Sequence, residues 1–167
     1  AVQVVEKIFA NLEKKSALII GAGETGELAA VHLHDKGVGK IAISNRTIER
    51  AEKLAKKIHG EIVPFQFLKE HLHNFDIVIS ATSAENIVIF FDDVKAAMKK
   101  RRGSPVVLMD IAVPRDIDTE VRKIDNVFYH DMDSLKIIVD QNLQKRRDQI
   151  PLVEKMIMEE MIGFFGW

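Results

Sequence analysis

Apolar residues along this chain recur with two different periods, one typical of amphipathic helices and the other of buried strands. Over residues 5–12 they follow helical spacing, and the predicted leading helix ends at about residue 15. Residues 17–20 form a continuous apolar run, after which residues 28–33 resume helical spacing until Gly37 stops the helix. The chain is therefore predicted to open with a helix, a strand and a second helix.

The alternation of strands and helices continues to about residue 129. The predicted elements are, in chain order, a strand at 41–44, a helix at 51–58 closed by Gly60, a strand at 62–64, a short helix at 67–72, a strand at 77–79, a helix at 92–100 stopped by Gly103, a strand at 106–111 and a last strand at 127–129. Such strands, apolar on both faces, indicate a parallel sheet covered on both sides. The predicted fold class is therefore α/β, a doubly wound parallel sheet of the Rossmann type with a long C-terminal helix.

Helical spacing without any further strand runs from residue 134 to the last residues of the chain. Pro151 predicts a kink or a break near residues 147–150, because proline removes a hydrogen bond and clashes with the preceding turn. A straight helix of this length would reach about 50 Å, so its far end needs another domain or a second copy of the chain to pack on. We divide the chain into a leading helix (1–15), a Rossmann domain (16–133) and a long helix (134–167).

Composition and charge narrow the class of protein. The chain has 167 residues, the length of one domain, and its formal net charge of -1 argues against a dedicated binder of nucleic acids or membrane surfaces. It has no cysteine, which excludes disulfides, thiolate metal sites and a cysteine nucleophile within this chain. A membrane-spanning helix needs about 18 apolar residues, and no apolar run in this chain approaches that length, so a cytoplasmic protein is predicted. Because the chain begins at Ala1, directly in a helical pattern, we expect a piece of a longer protein.

The glycine-rich segment between the first strand and the next helix is the first candidate for chemistry. Glycines with G-x-G-x-x-G spacing in this context are typical of dinucleotide-binding folds. Gly21 would permit a tight turn, Gly23 would let a pyrophosphate approach the backbone, and Gly26 would allow close helix packing. The amino terminus of the helix would then stabilise the anion. The candidate residues are Gly21, Ala22, Gly23, Glu24, Thr25 and Gly26; the alternative is a turn that binds nothing.

The end of the second predicted strand indicates which dinucleotide is bound. A site for NAD usually carries a carboxylate there, which accepts hydrogen bonds from the ribose 2′-hydroxyl. Here Ser44, Asn45, Arg46 and Thr47 offer hydroxyl, amide and guanidinium donors, which match a 2′-phosphate. NADPH is therefore the predicted cofactor. The alternative is that Arg46 is a solvated surface residue, while a helix cap at Thr47 is compatible with either interpretation.

Two further segments follow predicted strands at the carboxyl edge of the sheet, where open α/β sheets bind their ligands. Thr82 and Ser83 are candidates for contact with the nicotinamide half of the cofactor, although a cap of the following turn is equally compatible. After the fifth strand, residues 110–116 contain an X-Pro step that favours an extended turn near the same place.

The remaining chemistry-bearing residues favour structural roles. Two pairs of histidines have an i, i+2 spacing that points in divergent directions on a helix, so no metal site is predicted. The basic run 99–102 suits the last turn of a helix, with contact to RNA as the alternative. Asp131 and Asp133 are predicted to cap the final helix. No Ser-His-Asp or paired-carboxylate arrangement stands out, and no catalytic residue is predicted in this chain.

The glycine turn, residues 44–47 and residues 110–116, in this order and spacing, resemble the NADPH-binding domain of the glutamyl-tRNA reductase family. The resemblance covers nearly the whole chain, and residues 134–167 are similar to the start of that family's long connecting and dimerisation helix. The first two motifs are shared with shikimate dehydrogenase. The Val-Pro-Arg-Asp sequence at 113–116 and the long terminal helix favour the reductase.

The resemblance implies an oxidoreductase of tetrapyrrole, or porphyrin, biosynthesis. The family reduces glutamate esterified to its tRNA through an enzyme-bound thioester and releases glutamate 1-semialdehyde, with hydride supplied by NADPH. The cysteine nucleophile belongs to an amino-terminal domain that recognises the tRNA, so this chain is expected to be inactive alone. The complete enzyme is expected to form a homodimer through its C-terminal helical region, with no membrane contact.

The resemblance also implies roles for the candidate residues. Residues 21–26 would bind the pyrophosphate and residues 44–47 the adenosine 2′-phosphate, and four residues would lie near the nicotinamide: Thr82, Ser83, Ile111 and Ala112. Two alternatives remain open, namely the cofactor domain of a shikimate-dehydrogenase-like NADP oxidoreductase and an NADP-binding module without chemistry.

Overall fold

Six parallel strands form one sheet in the computed structural model, which describes residues 12–83, 86–112 and 115–131. The strand order is β3-β2-β1-β4-β5-β6, with a change of direction between β1 and β4. This is the doubly wound topology predicted from the sequence, which is thereby confirmed. The strands are β1 (Ser16–Ile20), β2 (Lys40–Ser44), β3 (Glu61–Ile62), β4 (Ile77–Ser80), β5 (Val106–Asp110) and β6 (Val127–Asp131).

Four α-helices connect these strands, together with short 3₁₀ turns. The helices are α1 (Glu24–Asp35), α2 (Ile48–Ile58), α3 (Leu68–His71) and α4 (Phe91–Lys100), and the 3₁₀ turns are Leu12–Lys14, Phe65–Phe67, Leu72–Asn74 and Thr119–Lys123. The segment predicted as a single short helix at 67–72 is one turn of α-helix between two 3₁₀ turns. The turn after residue 118 was not predicted, because its few residues show no helical period.

Side chains on the two faces of the sheet form two separate apolar clusters. In β1, Ile19 packs with α1 and α2, whereas Leu18 and Ile20 pack on the opposite face with α3 and α4. All three side chains are fully buried. Burial of both faces explains why the central strands are continuous apolar runs rather than alternating sequences.

Residues with positive φ end the helices. Gly37 and Gly103 follow α1 and α4 with φ of +87° and +78°, as expected of the predicted stops. After α2 the left-handed residue is His59, with φ 53°, so the predicted closure at Gly60 is displaced by one residue. Gly60 is still needed, because a Cβ there would lie 2.7 Å from the carbonyl oxygen of Ile41.

Asp131 lies at the end of the sheet, and the final helix that it was predicted to cap lies outside the described residues. It is the last residue of β6, and its side chain is 2% exposed. Its Oδ2 atom lies 3.0 Å from the guanidinium of Arg122 and 3.3 Å from that of Arg115. Of the leading helix predicted at 1–15, residues 1–11 lie outside the described residues, and Leu12–Lys14 form a 3₁₀ turn. The long C-terminal helix with its kink at Pro151 and the predicted cap at Asp133 also lie outside the described residues.

A buried arginine joins the amino-terminal ends of β4 and β5. Arg101, at the end of α4, pairs with Asp76 at 2.9 Å, and the Arg101 side chain is only 8% exposed. Its guanidinium also donates to four carbonyl oxygens, those of His73, Phe75, Ser104 and Pro105. One member of the basic run 99–102 is therefore a structural clamp. Within the described ranges, no helix is both long and apolar enough to cross a bilayer.

Candidate functional site

The glycine turn lies at the carboxyl end of β1, where the strand order changes direction. Gly21 has φ +100°, and a Cβ there would lie 2.6 Å from the carbonyl oxygen of Ala81. A Cβ at Gly26 would lie 2.1 Å from the carbonyl oxygen of Gly21. A Cβ at Gly23 would meet no atom within 4 Å. Packing therefore requires the first and third glycines, whereas the second faces open space that a ligand can enter.

The amino terminus of α1 faces that open space. Gly23 occupies the N-cap position, and no side chain caps the helix. The first turn of an α-helix has N–H groups without intrahelical acceptors, and the helix dipole makes this end positive. Glu24 and Thr25 in that turn are exposed. Helix termini of this kind often bind anions through their backbone, and binding of a diphosphate at this turn stays a prediction.

The end of β2 is tied to the glycine turn by hydrogen bonds. The N–H of Gly21 donates to the carbonyl oxygen of Ser44 at 2.8 Å, and the N–H of Ala22 donates to Oδ1 of Asn45 at 3.1 Å. Asn45 also donates through Nδ2 to the carbonyl oxygen of Thr47 at 3.0 Å. The Ser44 side chain is fully buried. Of the four predicted residues, Ser44 and Asn45 thus support the turn instead of presenting their side chains to solvent.

Arg46 and Thr47 are exposed beside the amino terminus of α2. The guanidinium carbon of Arg46 lies 5.2 Å from the ring centroid of Phe65, within range of a cation–π contact. Thr47 occupies the N-cap position of α2, as predicted, but its side chain makes no capping hydrogen bond. Residues 45–47, which follow β2, include no carboxylate, and the first acidic residue after them is Glu49 in the first turn of α2.

Thr82 is held by a carboxylate that the sequence reasoning did not select as a site residue. Its N–H donates to Oδ2 of Asp116 at 2.9 Å, and its hydroxyl donates to Oδ1 of the same side chain. The Ser80 hydroxyl donates to Oδ2 of Asp116 at 2.7 Å. Ser83 is exposed. A signal was available in the sequence, because two aspartates, Asp110 and Asp116, stand at and shortly after the end of a buried strand, and aspartate is seldom buried without partners.

A second buried carboxylate shapes the segment after β5. Asp110 is fully buried, and its side chain accepts the N–H groups of Ala112 at 3.2 Å and of Asp116 and Ile117 at 2.8 Å each. Burial raises the pKa of Asp110 to about 6, although the three N–H donors act in the opposite direction. Ile111 and Ala112 are themselves buried, so contact with a ligand at these two positions would involve chiefly the backbone.

The buried Asp110 carboxyl is expected to make folding less favourable as the pH rises through its titration. An unfolded aspartate has a pKa near 3.8, whereas in the folded protein that pKa is about 6. Between these values the folded state binds more protons, so the contribution of Asp110 to the free energy of unfolding falls by about 3 kcal/mol between about pH 4 and pH 6. Denaturant unfolding of wild type and Asp110→Asn, compared across this range, measures it. The raised pKa would be contradicted if the free energy of unfolding of wild type did not fall, relative to that of Asp110→Asn, as the pH rises.

Other polar groups in the described part of the chain do not extend the site. A concave region of about 440 Å³ lies at the carboxyl end of α2, far from the glycine turn, and is lined by Glu52, Ala55, Lys56, His59, Gly60 and Ile62. Across residues 12–83, 86–112 and 115–131, no three His, Asp or Glu side chains are grouped as metal ligands.

The strand order and the glycine turn at the change of direction define a doubly wound α/β domain of the Rossmann class. The chain belongs to the Shikimate / quinate 5-dehydrogenase family, whose sequence model matches residues 3–138.

Among curated relatives, the chain is 45% identical over 168 aligned residues to glutamyl-tRNA reductase of Chlorobium limicola. The alignment covers 100% of this chain and 40% of that protein. Glutamyl-tRNA reductase of Chlorobaculum parvum is also 45% identical, with 39% of its length covered. The chain thus spans about 40% of the length of these curated relatives, and the predicted resemblance to glutamyl-tRNA reductases is confirmed.

Solved structures agree with this relationship. Glutamyl-tRNA reductase from Methanopyrus kandleri matches with a TM-score of 0.78 and 43% identity, over 98% of this chain and 41% of that one. The nucleotide binding domain of glutamyl-tRNA reductase from Thermoplasma volcanium matches with a TM-score of 0.60 and 17% identity, over 89% of this chain and 97% of that one. The second match shows a shared fold.

Proposed function

We propose that this chain is the NADPH-binding domain of a glutamyl-tRNA reductase. In the complete enzyme it would supply hydride to reduce an enzyme-bound glutamyl thioester, formed from glutamyl-tRNA, to glutamate 1-semialdehyde in tetrapyrrole biosynthesis. The observation that carries the proposal is the open approach at Gly23, with two exposed donors nearby in place of a carboxylate. The 45% identity to a glutamyl-tRNA reductase over the full length of this chain supports the proposed reaction of the complete enzyme.

The shape and polarity of the site fit a dinucleotide phosphate. The backbone of residues 21–26 and the uncapped α1 terminus would hold the pyrophosphate, and Gly23 has the free space that this requires. The Arg46 guanidinium and the Thr47 hydroxyl would bind the 2′-phosphate, while Ser44 and Asn45 keep the loop against the turn. NADPH bound in this way supplies a hydride from its nicotinamide ring.

The nicotinamide half would lie against the segments that follow β4 and β5. Thr82 and Ser83 belong to the first of these segments and Ile111 and Ala112 to the second, and both segments lie at the carboxyl edge of the sheet. Because Ile111 and Ala112 are buried, they would shape this part of the site through their backbone. In this proposal the residues of this chain bind and orient the cofactor, and none acts as nucleophile.

The partners of the complete enzyme follow from the same proposal. Glutamyl-tRNA and the nucleophile would belong to an amino-terminal domain, and the region from residue 134 onward would begin the dimerisation helix of a homodimer. The isolated chain would therefore bind NADPH without turning over glutamyl-tRNA. The cytoplasmic location expected from the sequence stays a prediction.

Selectivity between the two nicotinamide cofactors tests the phosphate site. A charge-assisted contact is worth about 1.5 to 3 kcal/mol, so NADPH is expected to bind about ten-fold or more tighter than NADH. In Arg46→Ala this advantage should fall to less than about three-fold, because the guanidinium opposite the phosphate is lost. Parallel fluorescence titrations of both proteins with both cofactors give the four dissociation constants.

Arg50→Ala is the matched control for that titration, since Arg50 is an exposed arginine in the first turn of α2, shortly after Arg46 in the chain. It should retain the preference for NADPH. Equal binding of NADPH and NADH by wild type, or a preference that survives the loss of Arg46, would contradict the proposed 2′-phosphate site.

A second candidate function is the cofactor domain of a shikimate-dehydrogenase-like oxidoreductase, which the matched family model favours. The two candidates differ in the sequence that precedes this domain in the gene. A tRNA-recognition domain with a cysteine would support the reductase, whereas a small substrate domain with a catalytic lysine would support the dehydrogenase.

A further inference from the structure

Asp116 joins three segments at the carboxyl edge of the sheet. Its carboxylate accepts the Ser80 and Thr82 hydroxyls and the Thr82 N–H, all from the end of β4 and the residues that follow it. Its carbonyl oxygen accepts the N–H groups of Val88 and Ile89, which precede α4, at 2.6 and 2.9 Å. Its own N–H donates to Asp110 at the end of β5 at 2.8 Å. A single residue thus fixes the relative positions of these three segments.

The Asp116 carboxylate is buried without a cationic partner among the described residues, which does not favour folding. The Asp116 side chain is fully buried, and among the residues that the structure describes no Lys, Arg or His forms an ion pair with it. Asp110, a second buried acid, is close enough to act on it electrostatically. Burying a carboxylate without a cation is unfavourable, and neutral side chains can join strands at lower cost. A buried carboxylate that bonds to the segment after β4, beside the proposed cofactor site, is therefore a candidate for a positioning role.

The Asp116 carboxylate satisfies three donors at this position. Its two oxygens accept all three, with Thr82 contacting both oxygens. A side chain without these acceptors would leave the Thr82 N–H and the two hydroxyls without this partner. The pair of bonds to Thr82 sets the path of the chain from residue 80 to the exposed Ser83.

We propose that Asp116 is a positioning residue that orients residues 80–83, through its bonds to Thr82, to receive the nicotinamide ring. The inference rests on the proposed cofactor function and adds to it a residue that does not itself contact the cofactor. The path of residues 80–83 matters at this place because they follow β4, next to the glycine turn, and a Cβ at Gly21 would already meet the Ala81 carbonyl. A shift of this segment would change the wall of the site on the nicotinamide side.

The test compares NADPH with 2′-phospho-ADP-ribose, which has the same phosphates and lacks the nicotinamide ring. Asp116→Ala removes all three bonds and is expected to weaken NADPH binding about ten-fold, while the affinity for 2′-phospho-ADP-ribose changes less than about two-fold. A purely structural role would lower the affinity for both ligands alike. Asp118→Ala is the matched control, because Asp118 lies two residues further on and its carboxylate accepts one local bond, from the Glu120 N–H, at 3.0 Å. It should leave the affinities for both ligands unchanged.

Ser80→Ala keeps the inference testable if Asp116→Ala does not fold. The Ser80 side chain is fully buried, and its hydroxyl donates to Oδ2 of Asp116. Its loss should weaken NADPH binding about three-fold without changing the affinity for 2′-phospho-ADP-ribose. Thermal unfolding of every variant measures the accompanying change in stability.

Several outcomes would overturn the inference. One is an equal fall in the affinities for NADPH and 2′-phospho-ADP-ribose in the folded variants. Another is no change in either affinity. Wild-type protein that binds the two ligands equally well would also overturn it, since no ring contact would then need positioning. Wild-type protein that binds neither ligand would instead reject the proposed cofactor function, and this inference with it.

Discussion

Gly26→Ala is expected to lower the free energy of unfolding by about 3 kcal/mol or more and to abolish NADPH binding. The added Cβ would lie 2.1 Å from the carbonyl oxygen of Gly21 and 3.0 Å from its carbonyl carbon. The backbone at Gly21 cannot easily move away to relieve this clash. The Gly21 N–H is bonded to the Ser44 carbonyl oxygen, and the Ala81 carbonyl lies close to the Cα of Gly21. Denaturant unfolding and NADPH titration measure the two effects.

Gly23→Ala provides the matched control for this turn. Its Cβ would meet no atom within 4 Å, and its φ of -77° is accessible to alanine. The expected change in the free energy of unfolding is therefore less than about 1 kcal/mol. NADPH affinity should still fall, because the new methyl group occupies the space proposed for the pyrophosphate. Equal destabilisation by both substitutions would contradict the distinct roles of the two glycines.

Arg101→Met is expected to lower the free energy of unfolding by about 3 to 5 kcal/mol, without changing the preference for NADPH over NADH. The substitution removes a guanidinium that is bonded to Asp76 and to four backbone carbonyls, and the Arg101 side chain is 8% exposed. Its loss leaves the Asp76 carboxylate, which is 21% exposed, without its arginine partner. Urea unfolding, with NADPH and NADH titrations of the folded variant, gives both quantities.

Lys100→Met controls for the loss of a positive charge at the end of α4, since Lys100 is exposed and directly precedes Arg101. It should change the free energy of unfolding by less than about 0.5 kcal/mol. Asp76→Asn combined with Arg101→Met should cost less than the sum of the single substitutions, because the two groups interact directly. Strict additivity would contradict the proposed clamp.

Much of the fold was predictable because its signals are local. The buried strands are continuous apolar runs, and Gly37 and Gly103 mark helix ends by their own conformational freedom. Helix starts were harder to predict. α2 begins at Ile48, three residues before Ala51, its first buried residue, and an exposed first turn carries no apolar signal.

The candidate site was predictable only in part. The glycine spacing indicated the turn correctly, since a Cβ at Gly21 or Gly26 would meet a backbone carbonyl, whereas Gly23 faces open space. Spacing did not separate Ser44 and Asn45, which support the turn, from Arg46 and Thr47, which face solvent. That division follows from strand pairing, because the register places Ser44 beside Ile20 at the end of β1.

Local patterns in the amino-acid sequence were enough to establish the order of strands and helices, the position of the glycine turn and the kind of donors that follow β2. Which polar groups are buried, and which partners they have, became known from the three-dimensional arrangement. Asp116 contacts residues 34 and 36 positions away, and Arg101 contacts Asp76 at a separation of 25. The periodicity of apolar residues reflects only the local environment of neighbouring positions. The partners of a buried charged group lie on other strands and loops, so they are known only once the strands are paired.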